Sequence, residues 1–390
     1  MNFDPRAPEF RADPYPIYDF LRSFAPIFYW EPWGLYFLSS HEDCQVLLRD
    51  DRLGHLFVGD APPQQKALWD MQRNWLLVMN PPDHTRLRSL VHKAFTPRTV
   101  ALLRETIQRI TDNLIDAIED KGETDLIADL AYPLPVTVIC EMLGVPAADQ
   151  VQFHAWSAAI VQSLDLVEEE AVYNQASIAA SELIDYLGIL LEERRSQPRE
   201  DLISALVAVE EAGDRLTKDE LFGTCALLLI AGHETTVNLI GNGMYALLRH
   251  PDQWQRLRSD PALIANAVEE LLRYDSPVQF TSRVALQRVE YKGMVFEPGT
   301  GIGFLLGAAN RDPLQFSNPA QLDIGRENNK HLAFGGGIHY CLGAPLARLE
   351  GEVAFSTIAR RLPGLTLKRD NLTYRDNYTL RGLENLPLSL

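Results

Sequence analysis

The feature that most constrains this chain is a glycine-rich loop, Phe334-Gly-Gly-Gly-Ile-His-Tyr-Cys341-Leu-Gly343, which leads into a helical pattern from Ala344. Three consecutive glycines allow tight backbone turns and a close approach to something flat. Cys341 lies just before the helix, where unpaired amides and the helix dipole favour the thiolate form of a cysteine. No second Cys or His stands at metal-cage spacing, so the pattern suits one axial bond to a haem iron. The alternative is a structural cysteine beside a glycine turn.

Helical patterns dominate the middle of the chain, from about Asp83 to Leu272. The best-defined helix begins at Thr217-Lys-Asp-Glu220, a capping box in which hydroxyl and carboxylate satisfy backbone donors reciprocally. It runs to about Arg249, before Pro251, and its thirty-odd residues at 1.5 Å each span ~48 Å. A further helix, capped by Asp260, runs to about Tyr274. The predicted breaks before these helices are at Pro97, Gly122, 144–146, 165–168, Pro198 and Gly213.

Short strand patterns lie towards the two ends of the chain. Residues 26–30 and 35–40 flank a predicted hairpin turn, and residues 380–390 are a second predicted hairpin. Other predicted segments are strands at 279–285, 288–296 and 301–305, helices at 41–48 and 344–362, a turn-rich stretch at 309–330 and an irregular arm at 5–18. The sum is mainly α with small β-sheets, in one domain over residues 1–390. Its β-rich part is roughly 20–40, 279–305 and 365–390, and its helical part is roughly 83–275 and 344–362.

The charge balance argues against several classes of function. Lys and Arg number 36 against 53 Asp and Glu, and the resulting net charge of −17 opposes binding to nucleic acid or to an anionic membrane. Four scattered cysteines are too few for a disulfide scaffold. We see no secretory leader, and the apolar run Cys225–Ala231 is far shorter than the roughly 20 residues that span a bilayer. We therefore expect a cytoplasmic protein with reduced thiols.

The Cys341 loop resembles the haem-binding loop of the cytochrome P450 family. The resemblance implies that Cys341 is the proximal iron ligand, that His339 contacts a haem propionate and that Phe334 packs beside the thiolate. Gly335 and Gly343 would belong to the same cofactor-binding loop. The implied fold is that of a cytochrome P450, with haem b between a long central helix and the helix that follows the loop.

Glu270-Leu-Leu-Arg273 resembles the E-x-x-R helix of the same family. The i, i+3 spacing puts both side chains on one helical face, and Arg326 stands at the place of the third member. The implied role is structural, a cluster that braces the proximal loop. Taken alone the motif is common, and an ordinary surface ion pair is the alternative. Leu322-Asp323 departs from the family's Phe-Asp pair, which weakens only local packing.

Polar residues interrupt the long helix at Ala231-Gly-His-Glu-Thr-Thr. From the residues alone, Gly232 removes bulk and Thr235 diverts a hydrogen bond, so that water or oxygen enters a groove. The alternative is a helix that is merely polar on one turn. The stretch resembles the family's acid–alcohol motif, which implies Glu234 as the acid and Thr235 as the alcohol of proton delivery to oxygen, with Ala231 against the cofactor.

The segment from Pro81 to Arg88 resembles the third helix of the family. His84 and Arg88 share a face at i, i+4, and with Arg283 and His339 they would hold the haem propionates. Independently of the family, residues 84–98 contain cations and no carboxylate. The patch is either a solvated basic face or a docking surface for an acidic electron donor. Its cations are Arg86, Arg88, Lys93 and Arg98.

The segments that the resemblance assigns to substrate contact are mostly apolar, which suggests a hydrophobic substrate with few charged anchors. Residue by residue, ordinary core packing is the alternative. Terpenoid, fatty acid, steroid and macrolide substrates all stay open. The candidate pocket residues are Trp69, Leu76, Leu77, Val161, Leu229, Val278, Phe280 and Leu380.

The implied function is that of a soluble bacterial-type monooxygenase, which inserts one atom of O₂ into a hydrophobic small molecule by hydroxylation or epoxidation. Electrons would come from NAD(P)H through a separate ferredoxin or flavodoxin and its reductase, because the resemblance leaves no spare segment for a redox domain. One alternative is a haem-thiolate peroxygenase or isomerase, which often lacks the acid–alcohol pair. The other is a non-enzymatic haem or hydrophobic-ligand binder, which needs neither that pair nor a docking surface.

Overall fold

Helices form most of the chain in the computed structural model, which describes residues 3–57, 60–165, 169–211 and 216–390. The helices are α1 (Pro8–Ala12), α2 (Tyr15–Phe24), α3 (His41–Leu47), α4 (Lys66–Arg73), α5 (Asp83–Val91), α6 (Pro97–Ala101), α7 (Arg104–Glu119), α8 (Pro133–Leu143), α9 (Gln150–Gln162), α10 (Glu170–Ser196), α11 (Leu202–Glu211), α12 (Lys218–Arg249), α13 (Pro251–Ser259), α14 (Ile264–Tyr274), α15 (Leu306–Ala309) and α16 (Ala344–Arg361). Part of the predicted break at 165–168, and the break at Gly213, lie outside the described residues.

Short strands complete the fold. They are β1 (Ile27–Trp30), β2 (Leu35–Leu38), β3 (Leu53–Gly54), β4 (Glu123–Asp125), β5 (Phe280–Ala285), β6 (Val289–Tyr291), β7 (Met294–Phe296), β8 (Gly301–Leu305), β9 (Thr366–Leu367) and β10 (Pro387–Ser389). The larger sheet has the order β1-β2-β8-β5-β3, with β1-β2 and β5-β8 antiparallel and β2-β8 parallel. A second sheet has the order β4-β10-β9, and β6 and β7 form a hairpin. The predicted fold class, mainly α with small sheets, is confirmed.

The chain divides into two densely packed units. Unit 1 comprises residues 1–53, 101–134 and 235–390, and unit 2 comprises residues 54–100 and 135–234. In unit 1 one face of the larger sheet carries an apolar core that includes Leu38, Phe296 and Phe304. In unit 2 the long helix α10 packs against α4, α9 and α11. No helix of the described ranges is long and apolar enough to cross a membrane.

The N-terminal segment was expected to be an irregular arm, and that expectation is wrong. Pro8 and Pro16 each occupy the first turn of a helix, α1 and α2, where proline lacks only a donor that has no partner in any case. Phe10 and Tyr18 are buried, so both helices are anchored by apolar packing. The prolines that suggested an irregular arm therefore begin helices. Pro251 likewise begins a helix, α13, directly after the long helix ends at Arg249 as predicted.

The expected hairpin at 380–390 is also wrong. β10 instead pairs antiparallel with β4, which lies far away in the sequence, and with β9, which precedes the predicted hairpin. Leu388 is fully buried at that pairing. Strand partners are selected by tertiary burial, so a local pattern does not reveal them. β4 itself interrupts a region that was expected to be helical.

The long helix was predicted correctly, together with its capping box. The Thr217 backbone N–H donates to Glu220 Oε2 at 2.8 Å, and the Glu220 N–H donates to Thr217 Oγ1 at 3.3 Å. α12 then continues for 32 residues to Arg249. Reciprocal capping fixes where this helix starts, and therefore which residues reach its middle.

Candidate active site

The Cys341 loop is built by glycines in unit 1. Gly335 and Gly337 have φ values of +69° and +67°, a region that favours glycine. A Cβ on Gly337 would lie 2.3 Å from the Leu48 carbonyl oxygen, so the loop packs tightly against the end of α3. The Cys341 N–H donates to the Phe334 carbonyl at 3.0 Å, which closes the loop. These contacts fix the backbone that carries Cys341.

Cys341 is half-buried, whereas Cys44, Cys140 and Cys225 are buried. α16 begins three residues later at Ala344, with Gly343 as its cap residue. A Cβ on Gly343 would lie 4.0 Å from Cys341 Sγ. The thiol therefore has glycine on one side and a helix start beside it, an arrangement that suits a thiolate ligand.

An ion-pair network supports this loop from α14 and α16, and the sequence analysis missed it. Arg348 makes a bidentate pair with Glu269 at 2.6 and 2.9 Å, and its guanidinium lies 4.6 Å from the Phe334 ring centroid. His331 Nε2 lies 3.2 Å from Glu269 Oε2. Burial opposes the ionisation of Glu269, but the hydrogen bonds from His331 and Arg348 outweigh it and lower its pKa to about 2. The one sequence feature that could have indicated this network is Glu269, a second carboxylate directly before Glu270.

The structure brings Glu270, Arg273 and Arg326 together. Arg273 makes a bidentate contact with Glu270 at 2.7 and 2.8 Å, and Arg326 Nε lies 3.0 and 3.1 Å from the two carboxylate oxygens. Asn329 Nδ2 and the Asp323 N–H also donate to this carboxylate, each at 3.0 Å. A fully buried charge cluster persists only when it is satisfied in this way.

The two arginines of this cluster also hold backbone of the turn-rich segment. Arg273 donates to the carbonyls of Asn310 and Pro319, at 2.9 and 2.8 Å, and Arg326 donates to Ser317 at 2.7 Å. Because this segment has little regular secondary structure, the guanidinium groups satisfy carbonyls that no helix or sheet satisfies. The cluster thus braces the stretch of chain that leads to the Cys341 loop.

The middle of α12 has a face that the described part of the chain leaves partly open. Ala231 is exposed, and Leu227 and Thr235, four residues away on either side, are half-buried. Their neighbours Ile230 and His233 are buried. Residues at i, i+4 and i+8 share a helical face, so this opening is continuous and its centre is a small alanine. Such a face fits a flat group laid against the helix.

The expectation that Gly232 opens a groove is wrong. A Cβ at this position would lie 3.0 Å from Ile139 Cγ1 of α8, so the missing side chain allows α8 and α12 to approach closely. Glu234 is buried, at 4% exposure. The open face is therefore produced at Ala231 and Thr235, and Gly232 serves helix packing.

A buried carboxylic acid, Glu350, also went unnoticed in the sequence. It lies on α16 at 1% exposure, and burial raises its pKa to about 8. At neutral pH Glu350 is therefore protonated. A single glutamate in an otherwise amphipathic helix gives no local signal of such burial.

Arg283, on β5, tests whether the residues present fit an anionic cofactor. It is 6% exposed and donates to the Ser282 carbonyl at 2.6 Å and to Thr281 Oγ1 at 3.4 Å. Across the described ranges it has no carboxylate within ion-pair distance, and burial lowers its pKa to about 10. A buried cation without an anion is costly. The environment of Arg283 therefore suits an anionic group such as a propionate.

In unit 2, α5 carries the other expected propionate partners. His84 is buried and Arg88 is half-buried, one turn apart. Arg86, which was expected to contribute a docking charge, is instead paired with Glu220 and with Asp83. The Glu220 hydrogen bonds raise the pKa of Arg86. Arg86 thus connects α5 to the N-terminal cap of α12, and we no longer count it among the charges of the docking surface.

Lys93 and Arg98 are exposed, so two of the predicted docking charges face solvent.

The candidate pocket residues differ from one another in their exposure to solvent. Phe280 lies in an aromatic cluster of unit 1, with ring centroids 5.6 Å from both Phe37 and Tyr378. The remaining candidates range from buried to exposed: Leu76, Val161 and Leu229 are buried, Trp69, Val278 and Leu380 are half-buried, and Leu77 is 43% exposed.

Known proteins share this fold and much of this sequence. The family described as Cytochrome P450 matches residues 22–372. The chain is 41% identical to the polyketide biosynthesis cytochrome P450 PksS of Bacillus subtilis, across 100% of this chain and 99% of that protein. Among solved structures it is similar to P450BioI in complex with acyl carrier protein ligated to hexadec-9Z-enoic acid (TM-score 0.94, 39% identity, 98% of this chain and 99% of that chain). It is also similar to the myxobacterial cytochrome P450 CYP267B1 in complex with myristic acid (TM-score 0.91, 40% identity, 98% and 97%).

A thiol on a glycine-built loop, an open helix face and a buried cation without an anion are the features that a haem needs, and the family match extends over all three. The chain belongs to the cytochrome P450 family, as a haem-thiolate monooxygenase that uses O₂ and receives electrons from NAD(P)H through redox partners.

Proposed function

We propose that Cys341 is the proximal thiolate and that Glu234 and Thr235 deliver the protons on which oxygen activation depends. The observation that carries the proposal is the Cys341 loop, whose backbone is fixed by two left-handed glycines and closed by the Cys341–Phe334 hydrogen bond. Haem supplies the redox chemistry when bound, and an electron-rich thiolate favours cleavage of the O–O bond. Gly335, Gly343 and Phe334 shape the loop around the ligand.

Proton delivery is assigned to α12. Glu234 is a buried carboxylate and Thr235 is the next residue, on the open face of the helix beside Ala231. A carboxylate that takes a proton from solvent and passes it to a hydroxyl on the open face acts as a general acid relay, an effect worth about 10²–10⁴ in rate. Thr235 is thus the last protein group before the reacting oxygen.

The propionates are assigned to cations and to histidine donors. Arg283 lacks a carboxylate partner within the described ranges, and His339 follows Gly337 in the Cys341 loop. His84 and Arg88 supply donors from α5. Charge-assisted hydrogen bonds of this kind fix both the position and the tilt of an anionic cofactor.

Electron transfer is proposed to occur near the exposed cations Lys93 and Arg98 and the half-buried Arg88. A ferredoxin or flavodoxin is acidic, and complementary charge speeds encounter more than it tightens binding. The location is proposed to be cytoplasmic. We expect the association rate to fall with ionic strength, and the double charge reversal of Lys93 and Arg98 to reduce that dependence.

The substrate is proposed to be a long, mainly apolar chain. Two similar structures carry fatty-acid ligands, and one of these ligands is attached to an acyl carrier protein. The candidate pocket residues of this chain include no ionisable group, which suits such a chain. Myristic acid and hexadec-9Z-enoic acid are therefore the first ligands to screen, by the spin shift that they induce in the haem spectrum.

Isotope labelling tests the reaction. With ¹⁸O₂, a surrogate ferredoxin system and myristic acid, we expect one labelled oxygen atom in the product. Thr235→Ala should divert most electrons to hydrogen peroxide, whereas Thr224→Ala, which removes the same atoms from a buried position nearer the start of α12, should not. Product formed only from added peroxide, and never from O₂, would instead support a peroxygenase.

A further inference from the structure

His233 is held in one orientation by two hydrogen bonds within unit 2. Its Nδ1 lies 2.7 Å from the Leu229 carbonyl oxygen, one turn earlier in α12, and its Nε2 lies 3.1 Å from Ser157 Oγ on α9. Because a carbonyl only accepts, Nδ1 carries the proton that it donates to Leu229, and Nε2 shares the second hydrogen bond with the Ser157 hydroxyl. Both side chains are buried, at 4% exposure each. The Leu229 carbonyl therefore determines that Nδ1 is protonated, and Ser157 holds the tilt of the ring.

The same ring nitrogen faces the proposed proton-delivery carboxylate. His233 Nε2 lies 3.8 Å from Glu234 Oε1, beyond hydrogen-bond distance. The edge of the ring lies against that oxygen, so the ring limits how closely the carboxylate approaches it. Glu234 is itself buried, and it has few positions to occupy. The placement of this carboxylate thus depends on the tilt of His233.

Ser157 lies on the same helix as a predicted substrate-pocket residue. α9 carries Val161, a predicted pocket residue, four residues after Ser157, so the two side chains share a face of α9. Both are buried. A displacement of α9 that follows pocket occupancy would move the Ser157 hydroxyl, and with it the ring that borders Glu234.

We propose that Ser157 and His233 form a positioning link, which makes proton delivery through Glu234 depend on how α9 is seated over the substrate. This inference rests on the proposed role of Glu234. No bond forms or breaks at Ser157 or His233, and the proton moves only through Glu234 and Thr235. When no substrate is bound, the link does not hold the Glu234 carboxylate in position, and electrons are lost to hydrogen peroxide. When α9 packs over bound substrate, the link holds the carboxylate in the position from which proton delivery leads to product.

The test compares three serine variants of the full-length, haem-loaded protein. Ser157→Ala removes the hydroxyl and Ser157→Thr restores it. Ser163→Ala is the matched control, because it removes a buried hydroxyl at the end of α9 that donates to the Ile160 carbonyl at 2.6 Å and accepts from Gln72 Nε2 at 3.3 Å. The first measurement, made without turnover, is hydrogen–deuterium exchange of peptides that cover residues 229–235. The second is the peroxide released per NADPH oxidised, with and without myristic acid.

The link predicts that Ser157→Ala accelerates exchange at 229–235. It also predicts a ratio of peroxide to product about fivefold higher with myristic acid, the change that loss of one neutral hydrogen bond allows. Binding of myristic acid, read from the spin shift, should stay within about twofold because the link acts through Glu234. Ser157→Thr and Ser163→Ala should match the unsubstituted protein.

Glu234→Gln separates the two ways of failing. If Glu234→Gln raises the peroxide fraction and Ser157→Ala leaves it unchanged, the link is overturned and the proposed role of Glu234 stands. If Glu234→Gln also leaves the peroxide fraction unchanged, the role of Glu234 fails, and the link fails with it. Equal peroxide fractions for Ser157→Thr and Ser157→Ala, both raised, would show that packing rather than the hydroxyl matters, and would also overturn the link.

Discussion

Replacing Glu350 by Gln should abolish a specific pH dependence of stability. Glu350 is 1% exposed, and its pKa is raised by burial from 4.5 to about 8. The folded protein therefore keeps a proton that the unfolded chain loses above pH 4.5. Because the folded state binds more protons between these two values, the free energy of unfolding falls as pH rises through this window. Gln has the shape of the protonated acid and no proton to lose.

The magnitude follows from the same two pKa values. At 1.36 kcal/mol for each pH unit, the wild-type protein loses about 5 kcal/mol of stability between pH 4.5 and 8 that the variant keeps. For a chain of 390 residues, 1 kcal/mol corresponds to about 1 °C in Tm, so the Tm difference between the two proteins should change by about 5 °C. The Tm of the variant therefore increases relative to that of the wild type as pH rises.

Calorimetry of both holoproteins at pH 5, 6.5 and 8 measures this difference, since titrations common to both proteins cancel. Glu352→Gln is the matched control, because Glu352 lies on the same helix but is partly exposed and paired with Arg104 at 2.7 Å. Its Tm difference from the wild type should change little over the range. A Glu350→Gln difference that is constant from pH 5 to 8 would mean that Glu350 is ionised in the folded protein, and would refute the reasoning.

Three further substitutions test the loop and its supports. Gly337→Ala should lose haem on gel filtration, because an alanine at a φ of +67° raises the free energy of the fold by about 1–2 kcal/mol and its Cβ would meet a carbonyl oxygen. Gly335→Ala has a similar φ of +69°, but its Cβ would meet nothing within 4 Å, and this variant should retain haem. Arg326→Leu should destabilise the protein by about 3–5 kcal/mol in chemical denaturation, since it leaves a buried carboxylate short of a partner. Arg256→Leu, which removes an exposed ion pair, should cost at most about 1 kcal/mol. Glu269→Gln should release Arg348 from the Phe334 ring, and the CO spectrum of the reduced protein should then show a growing fraction without thiolate ligation; an unchanged spectrum would limit Glu269 to folding.

Local signals were sufficient where a residue's partner lies within a few positions of it. The capping box at Thr217 and the pairing of Glu270 with Arg273 depend on i, i+3 spacing, which the sequence displays directly. The glycines around Cys341 indicate their own backbone conformation. Features of this kind allow the long helix and the thiolate loop to be predicted from the sequence alone.

Signals failed where the partner comes from another element. Arg86 pairs with Glu220, which lies 134 positions away in the sequence. The basic segment around Arg86 therefore appears more positively charged in the sequence than it is in the folded protein. β10 finds its partners in β4 and β9 because Leu388 must be buried. The contact of Ser157 with His233 likewise requires the packing of two helices. Tertiary burial decides all three, and local pattern carries no information about it.

The measurement that tests the account most directly is the absorption spectrum of dithionite-reduced protein under carbon monoxide, recorded for the wild type and for Cys341→Ala. Thiolate ligation shifts the Soret band strongly to the red of the position for histidine-ligated haem. The account predicts this shifted band in the wild type and its absence in Cys341→Ala, with Cys225→Ala, at a buried cysteine, like the wild type. A histidine-type Soret band in folded wild-type protein, or a shifted band that survives in Cys341→Ala, would contradict it.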